Sequence, residues 1–202
     1  AGHSDVLAGI VVAKDEAIGA QIKFNQNASG GVLAPFDSWL TIRGIQTLSL
    51  RVEQQSRNAQ SIAEFLQEHP AVAHVNYPGL PSHPNYDIAC LQQRLFGGIV
   101  SFSLKDDTTR AAETLVTSTQ LFKLAESLGG VKSLCCHPAS MTHKSTPADV
   151  KQRAGIRDSL VRLSVGIEGA QDLIDDLAQA LNAVQHLRVQ GVHLPLERAV
   201  HA

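Results

Sequence analysis

Two stretches of the chain alternate between apolar and polar residues, as a strand with one buried face does. Residues 99–104 read IVSFSL and residues 160–165 read LVRLSV, so every second side chain points to an apolar face. A third strand is predicted over residues 72–77. The continuous apolar run GIVVA at residues 9–13 predicts a fourth strand, buried on both faces.

Helical spacing is found between these strands. Apolar residues recur at intervals of three and four from Ala59 to Leu66, and one long helix is predicted over about 35–69, ended by Pro70. A shorter helix is predicted over about 14–27. Asp107 is expected to cap a further helix, because an aspartate side chain accepts hydrogen bonds from the first free amides of a helix.

The last helix has an apolar stripe and an acidic N-terminal end. The stripe consists of Leu173, Ile174, Leu177, Ala178 and Leu181. The acidic residues are Asp172, Asp175 and Asp176, which the helix dipole favours at that end. From about Val184 the pattern fades. We therefore predict the end of an α/β domain followed by a smaller α+β domain, with segments 1–34, 35–69 (the long inter-domain helical segment), 70–184 and a tail, 185–202.

Composition, charge and cysteine content limit the kinds of protein and partner that fit this sequence. The 202 residues are 44% hydrophobic and 18% charged, with a net charge of −2, which favours a packed core and argues against nucleic acid or an anionic membrane as main partner. No apolar run is long enough to span a bilayer, and no signal peptide is expected. An odd number of cysteines, two of them adjacent, favours the reducing cytoplasm. The sequence opens with AGHSDVLAGIVVA and has no initial Met. We therefore expect that it begins partway along a longer protein.

Arg162 is the most informative residue, because it is at the centre of a predicted strand whose other face is aliphatic. A guanidinium is a planar fork of donors that matches a carboxylate or a phosphate. Two structural roles stay open, a salt bridge with Asp158 or Glu168 and a solvated face. Ser133 follows a Gly-Gly turn whose backbone amides can meet an anion, although an ordinary surface loop has the same pattern.

Several other polar residues are weaker candidates. The run HPASMTH contains His137, Met141, Thr142 and His143, and adjacent cysteines precede it, but neighbouring residues seldom reach one metal ion, so no metal site is predicted. Lys144 is in a loop-like context that does not favour an imine-forming role. His3 and Asp5 form either an acid–base pair or a turn. No phosphate-binding glycine motif and no nucleophile triad is found.

Seven blocks of the chain, in order, resemble the trans-sulfuration enzymes, which are the pyridoxal phosphate (PLP) enzymes of cysteine and methionine metabolism. The blocks are GHSDVLAG, FDSWLTIRGIQTLSLR, NYPGLPSHPNY, FGGIVSFSL, LFKLAESLGGVKSL, HPASMTHKS and LVRLSVGIEGAQDLIDDLAQAL. Cystathionine γ-synthase and cystathionine γ-lyase are the nearest types. The resemblance covers about residues 2–181 and is specific because all seven blocks occur together.

The resemblance implies PLP-dependent transferase fold type I, an α/β fold. Residues 1–34 would end the large cofactor domain, and an α+β small domain would follow. It also implies PLP as cofactor, small amino-acid substrates and a homotetramer built as a dimer of dimers. The lysine that forms the cofactor imine is expected upstream of Ala1. No catalytic residue is therefore expected in this chain, its cofactor-binding residues are unknown, and it would pair with its N-terminal half.

By the same resemblance, Arg162 holds the α-carboxylate of the substrate, with Ser133 and Thr142 in the same pocket. Lys132 occupies a position where relatives usually have Glu, near the pocket for a second amino acid, so it is a specificity candidate. Ser4 and the pair Gln26-Asn27 are closer to the cystathionine enzymes than to methionine γ-lyases.

The implied activity is that of a cystathionine γ-synthase, which joins an O-acylhomoserine to cysteine at Cγ, as in methionine biosynthesis. Cystathionine γ-lyase or β-lyase, O-acylhomoserine sulfhydrylase and methionine γ-lyase stay open as alternatives. A different class also stays open, because a chain without the PLP lysine can be a non-catalytic fragment or assembly module.

Overall fold

The computed structural model describes residues 2–190, with side chains up to residue 186. The chain forms two compact units, which divide between Val52 and Glu53. The helices that begin the chain are α1 (Glu16–Ser29), α2 (Pro35–Ile45) and α3 (Leu48–Glu68), and α3 crosses the division. The remaining elements are β1 (Val72–Asn76), α4 (Tyr86–Gln92), β2 (Ile99–Leu104), α5 (Thr109–Ser118), β3 (Lys123–Leu124), β4 (Leu134–Cys136), α6 (Ala148–Arg153), β5 (Leu160–Ser164) and α7 (Ala170–Gln190).

The predicted strand at residues 9–13 is absent, and that prediction is wrong. The segment forms no ladder, and its side chains are exposed, with Val12 at 86% and Ile10 at 88% of full accessibility. A strand exists only through hydrogen bonds to a neighbouring strand. All the strands of the described residues lie in the second unit, so this apolar run has no strand beside it in its own unit.

The predicted single helix over 35–69 is two helices, α2 and α3. The break falls at Gln46 and Thr47. Arg51 explains it, because its Nη2 donates to the carbonyl of Gly44 at 2.5 Å and its Nε donates to Thr47 Oγ1 at 3.2 Å. The guanidinium thereby satisfies a carbonyl at the end of α2 that a continuous helix would use itself. The predicted domain boundaries at 34, 69 and 184 stay a prediction.

The second unit is built on a five-stranded sheet in the order β1-β2-β5-β4-β3. The neighbours are antiparallel except β3 and β4, which are parallel. The predicted strands over 72–77, 99–104 and 160–165 are confirmed as β1, β2 and β5. The short strands β3 and β4 were not predicted, since two or three residues carry no detectable alternation.

The hydrophobic core lies on one face of this sheet. Phe102 of β2 and Val161 and Leu163 of β5 are fully buried there. The helices α3, α5 and α7 contribute a large part of the cluster, including Ala59, Ile62, Leu66, Ala112, Leu115, Leu173, Leu177 and Leu181. Burial of one apolar stripe from each helix and one face of each strand is the arrangement that the alternating pattern predicts. Polar side chains lie on the opposite face of the sheet.

Asp107 does not cap α5, so that prediction is wrong. The cap is Thr108, whose Oγ1 accepts from the amide of Ala111 at 3.2 Å. Asp107 Oδ1 instead accepts from the amide and hydroxyl of Ser159, at 3.1 and 2.6 Å. Ser159 directly precedes β5, so this carboxylate fastens the start of that strand.

Helix α7 continues past the predicted start of the tail at 185. Its buried stripe extends to Val184, which is 3% exposed, and the helix reaches Gln190. The rest of the predicted tail, residues 191–202, lies outside the described residues.

Candidate functional site

The polar face of the sheet is organised around Arg162. In the strand register Arg162 pairs with Ser101 of β2 on one side and with Cys136 of β4 on the other. Its neighbours in the strand, Val161 and Leu163, are fully buried on the core face. Side chains alternate along a strand, so Arg162 is on the face away from the core, as the sequence predicts.

The guanidinium of Arg162 is only partly used by the protein. Its Nη2 donates to the carbonyls of Glu126 and Ser127, at 2.6 and 3.3 Å. Its Nε is buried and has no hydrogen-bond partner. Among residues 2–190 Arg162 forms no ion pair with Asp158 or Glu168, the two partners that a structural role would need. A guanidinium that lies on a polar face and has N–H donors without a partner is suited to binding an anionic ligand.

The adjacent cysteines point to opposite faces of β4. Cys135 pairs with Leu163 and is on the core side, whereas Cys136 pairs with Arg162. Both are about 1% exposed. Burial raises the pKa of Cys135 to about 11. Burial also raises the pKa of Cys136, while the nearby cation of Arg162 opposes that rise. Two thiols on opposite faces cannot bind one ion, and no cluster of three or more metal-binding side chains is found in the described part of the chain.

These thiols should differ in reactivity. The thiolate is the nucleophile, so a thiol with a raised pKa and no exposure reacts slowly near neutral pH. We expect iodoacetamide to label exposed Cys90 first in the native protein, with Cys135 and Cys136 protected until the protein is denatured. Peptide mass spectrometry over time measures this order. Equal labelling rates for Cys90 and Cys135 in native protein would contradict the raised pKa and burial of Cys135.

Ser133 is fully buried, and its polar groups are already bound within the protein. Its amide donates to Glu168 Oε1 and its hydroxyl to Glu168 Oε2, both at 2.8 Å. The amide of Gly166 donates to the same hydroxyl at 2.8 Å. Ser133 therefore closes a loop whose beginning is bound by Arg162. Its role in carboxylate binding stays a prediction.

Thr142 and Lys132 are both exposed. The hydroxyl of Thr142 is 2.8 Å from Nδ1 of His143, within the turn that follows β4. The roles of Thr142 in carboxylate binding and of Lys132 in specificity stay predictions. His137 has a structural position instead: it is 1% exposed, and its Nε2 lies 2.7 Å from the carbonyl of Asp158.

His3 and Asp5 belong to the first unit. Together with Arg43 they line an open pocket beside the end of α2. Ser4 between them has a φ of 59°, which is left-handed backbone. This backbone is that of a tight turn, so the turn interpretation of the GHSD segment is the one that the geometry favours.

The sequence did not identify three polar residues that hold the site together. Gln55 donates to the carbonyl of Gly130 at 2.8 Å, and Asn58 donates to the carbonyls of Gly166 and Glu168, at 3.1 and 2.8 Å. For Glu168 the sequence predicts only a possible salt bridge with Arg162. A signal was present: Gln55 and Asn58 continue the buried face of α3 at spacings of three and four, where apolar residues are expected.

No helix among residues 2–190 combines the length and hydropathy that crossing a membrane requires.

The lysines nearest to the site in sequence, Lys132 and Lys144, are both exposed. A covalently attached PLP needs a lysine at the bottom of its pocket, so neither fits that role. The guanidinium of Arg162 does fit the carboxylate of an amino acid bound beside such a group.

Comparison with known proteins gives a family. The model of the family described as Cys/Met metabolism PLP-dependent enzyme matches residues 1–182. The chain is 51% identical over 180 residues to a cystathionine β-lyase of Lactococcus lactis, covering 89% of the chain and 47% of the relative. It is 52% identical over 180 residues to a cystathionine γ-synthase of Mycobacterium bovis, covering 89% of the chain and 45% of the relative.

The fold is shared with solved structures. A cystathionine γ-synthase from Xanthomonas oryzae, solved with aminoacrylate and cysteine, superimposes with a TM-score of 0.87 at 45% identity. That match covers 92% of this chain and 48% of the other. The chain therefore spans about half the length of the relatives it matches.

Proposed function

Because the chain belongs to the Cys/Met metabolism PLP-dependent enzyme family, we propose that it carries the substrate-carboxylate half of a trans-sulfuration active site. The proposed reaction is at Cγ of a homoserine-derived amino acid, with PLP as cofactor. The fold agrees with that family: it is the α/β fold type I of the matched synthase. Small-molecule substrates are what this family acts on.

A single observation carries the proposal. Arg162 is on the polar face of the sheet, with no ion pair in residues 2–190, and two carbonyls fix one nitrogen of its guanidinium. Such a fork binds a carboxylate through paired charged hydrogen bonds, and its fixed orientation sets the direction from which the amino acid enters. Ser133 and Thr142 are proposed for the same pocket, and Lys132 for the choice of substrate.

PLP supplies the electron sink for bond breaking at the α- and γ-carbons of an amino acid. The residues of this chain supply binding and orientation. By holding the α-carboxylate, Arg162 determines which bond of the α-carbon is exposed to the reaction. We propose that the lysine for the cofactor precedes Ala1, that segments 1–34, 35–69 and 70–184 divide as predicted, and that the enzyme is a cytoplasmic homotetramer.

The proposed activity is cystathionine γ-synthesis from an O-acylhomoserine and cysteine. Nearly equal identity to a β-lyase and to a γ-synthase, 51% and 52%, leaves the γ-lyase, β-lyase, sulfhydrylase and methionine γ-lyase activities as alternatives. Ser4 and Gln26-Asn27 favour the cystathionine enzymes over methionine γ-lyase. The non-catalytic alternative is not needed, since similarity to enzymes extends over 180 residues.

Substrate profiling tests this choice. The enzyme loaded with PLP is assayed with O-succinylhomoserine and O-acetylhomoserine, each with cysteine, and with cystathionine alone. We expect cystathionine to form from at least one acylhomoserine with a kcat/KM above that for cystathionine cleavage. Faster cleavage of cystathionine would show that the activity is that of a lyase and not of a synthase. Release of methanethiol from methionine would favour methionine γ-lyase. Borohydride reduction followed by mass spectrometry locates the lysine that holds PLP.

A further inference from the structure

The loop over residues 126–133 (ESLGGVKS), here named the glycine loop, is fastened to the protein along its whole length. Arg162 binds its first two carbonyls. In its middle, the amide of Gly129 donates to the hydroxyl of Ser164 at 2.8 Å, and Gln55 donates to the carbonyl of Gly130. The loop that holds Arg162 in place is thus itself held by other residues.

The last anchor of the glycine loop is Glu168. Both of its carboxylate oxygens accept from Ser133, one from the amide and one from the hydroxyl, each at 2.8 Å. The hydroxyl of Ser133 also accepts from the amide of Gly166, so its own proton can only be given to Glu168. The pair therefore requires two acceptor oxygens at residue 168, which a carboxylate has and an amide does not.

The backbone around Glu168 is fixed as well. Asn58 of α3 donates to the carbonyls of Gly166 and Glu168. A Cβ on Gly166 would collide with the carbonyl of Val131 and with Oε2 of Glu168, and would approach the amide of Ser133 to 2.7 Å. The glycine thus leaves the space in which the carboxylate reaches the loop. Glu168 is seated by the fold and does not point freely into solvent.

We propose that Glu168 is a positioning residue for Arg162. Its carboxylate fixes the Ser133 end of the glycine loop, and the loop in turn places the carbonyls of Glu126 and Ser127 that orient the guanidinium. This inference rests on the proposed function, in which Arg162 binds the substrate carboxylate. Glu168 touches no substrate in this arrangement, so its effect on binding passes through the loop.

The test compares four forms of the PLP-loaded enzyme: parent, Glu168→Gln, Arg162→Ala and the double variant. Glu68→Gln is the matched control, because it makes the same change at an exposed carboxylate at the end of α3. The probe is L-norleucine, an amino acid with an α-carboxylate and no γ-leaving group, whose Kd is measured by calorimetry. KM and kcat for the substrate selected by profiling are measured in parallel.

We expect Glu168→Gln to raise the Kd and KM roughly fivefold to tenfold, less than the loss of Arg162 itself because the effect passes through the loop, while kcat changes less. In the Arg162→Ala background the same substitution should change the Kd less than twofold, because residues that act through one another are not additive. Glu168→Asp keeps both acceptors on a shorter side chain and should fall between parent and Glu168→Gln. Hydrogen exchange of the glycine loop should accelerate in Glu168→Gln and not in Glu68→Gln.

Two outcomes overturn the inference while leaving the proposed function in place. One is a parental Kd and KM in Glu168→Gln and Glu168→Asp when Arg162→Ala has raised them. The other is full additivity in the double variant, which would make Glu168 a purely structural residue. A parental Kd in Arg162→Ala itself removes the proposed carboxylate site instead. If Glu168→Gln does not fold, Glu168→Asp and its exchange rates decide the question alone.

Discussion

Replacing Arg162 by alanine is expected to lower kcat/KM for the amino-acid substrate roughly tenfold to 150-fold. The estimate follows from the loss of a charged hydrogen-bonded contact, about 1.5–3 kcal/mol, at about 1.4 kcal/mol for each factor of ten. Bound PLP should be unaffected, because the guanidinium is assigned to the substrate and not to the cofactor. Steady-state kinetics and the visible spectrum of the cofactor measure the two effects separately.

Arg153→Ala is the matched control for this prediction. Arg153 is an exposed arginine of α6 that pairs with Asp149 at 2.9 Å, and such surface pairs contribute about 0–1 kcal/mol. Its removal should leave kcat/KM within about twofold of the parent. Arg162→Lys should recover only part of the loss, since an ammonium keeps the charge but not the planar fork. Parental kinetics in Arg162→Ala would exclude Arg162 from carboxylate binding.

Replacing Asp176 by alanine is expected to destabilise the second unit by roughly 3–5 kcal/mol. Asp176 is 6% exposed, and its carboxylate accepts hydrogen bonds from three backbone amides, those of Gln120, Leu121 and Phe122, at 2.7, 2.9 and 3.0 Å. Without it these donors lose their acceptor, and each buried unsatisfied group costs about 1–3 kcal/mol. Water can replace part of the loss where the turn is near the surface.

The change is measured as the apparent free energy of unfolding in urea. Asp175→Ala is the control, because Asp175 is the preceding residue and is exposed, and among the residues with described side chains its carboxylate accepts only from Gln171 Nε2, at 2.9 Å. We expect it to shift the free energy by less than about 0.5 kcal/mol. A similar small shift in Asp176→Ala would mean that the three amides find other partners, and the buried carboxylate would then have no large part in stability.

Asp176 also shows why local rules fail at some positions. The sequence places it in the first turns of the last helix, and the helix dipole explains an acidic residue there. In the structure its acceptors serve a turn that is 54 to 56 residues earlier in the chain. Asp107 is a similar case, since it looks like a helix cap and instead binds Ser159, 52 residues away.

The strand prediction for residues 9–13 is wrong for a different reason. The composition of this segment is that of a buried strand, but burial and pairing must be supplied by another part of the protein. Within the first unit no strand lies beside it, and Ile10 and Val12 are almost fully exposed. Composition therefore identifies a segment that is able to pair as a strand. The segment becomes a strand only where a neighbouring strand supplies the hydrogen bonds.

The sequence by itself determined the strands β1, β2 and β5, the buried stripes of α3 and α7, and the face of β5 on which Arg162 lies. These follow from side-chain periodicity, which the backbone imposes locally. The family was also determined by the order of seven blocks, and comparison confirmed it.

Only the tertiary structure decided what surrounds Arg162. The partners of its guanidinium are 35 and 36 residues away in sequence, Glu168 reaches Ser133 across 35 residues, and Asn58 reaches Gly166 across 108. No local pattern specifies such pairs, because a hydrogen bond depends on distance in space and on the donors left over by every other contact. The sequence thus located the arginine, whereas the fold decided that two backbone carbonyls, and no side-chain carboxylate among the described residues, hold it.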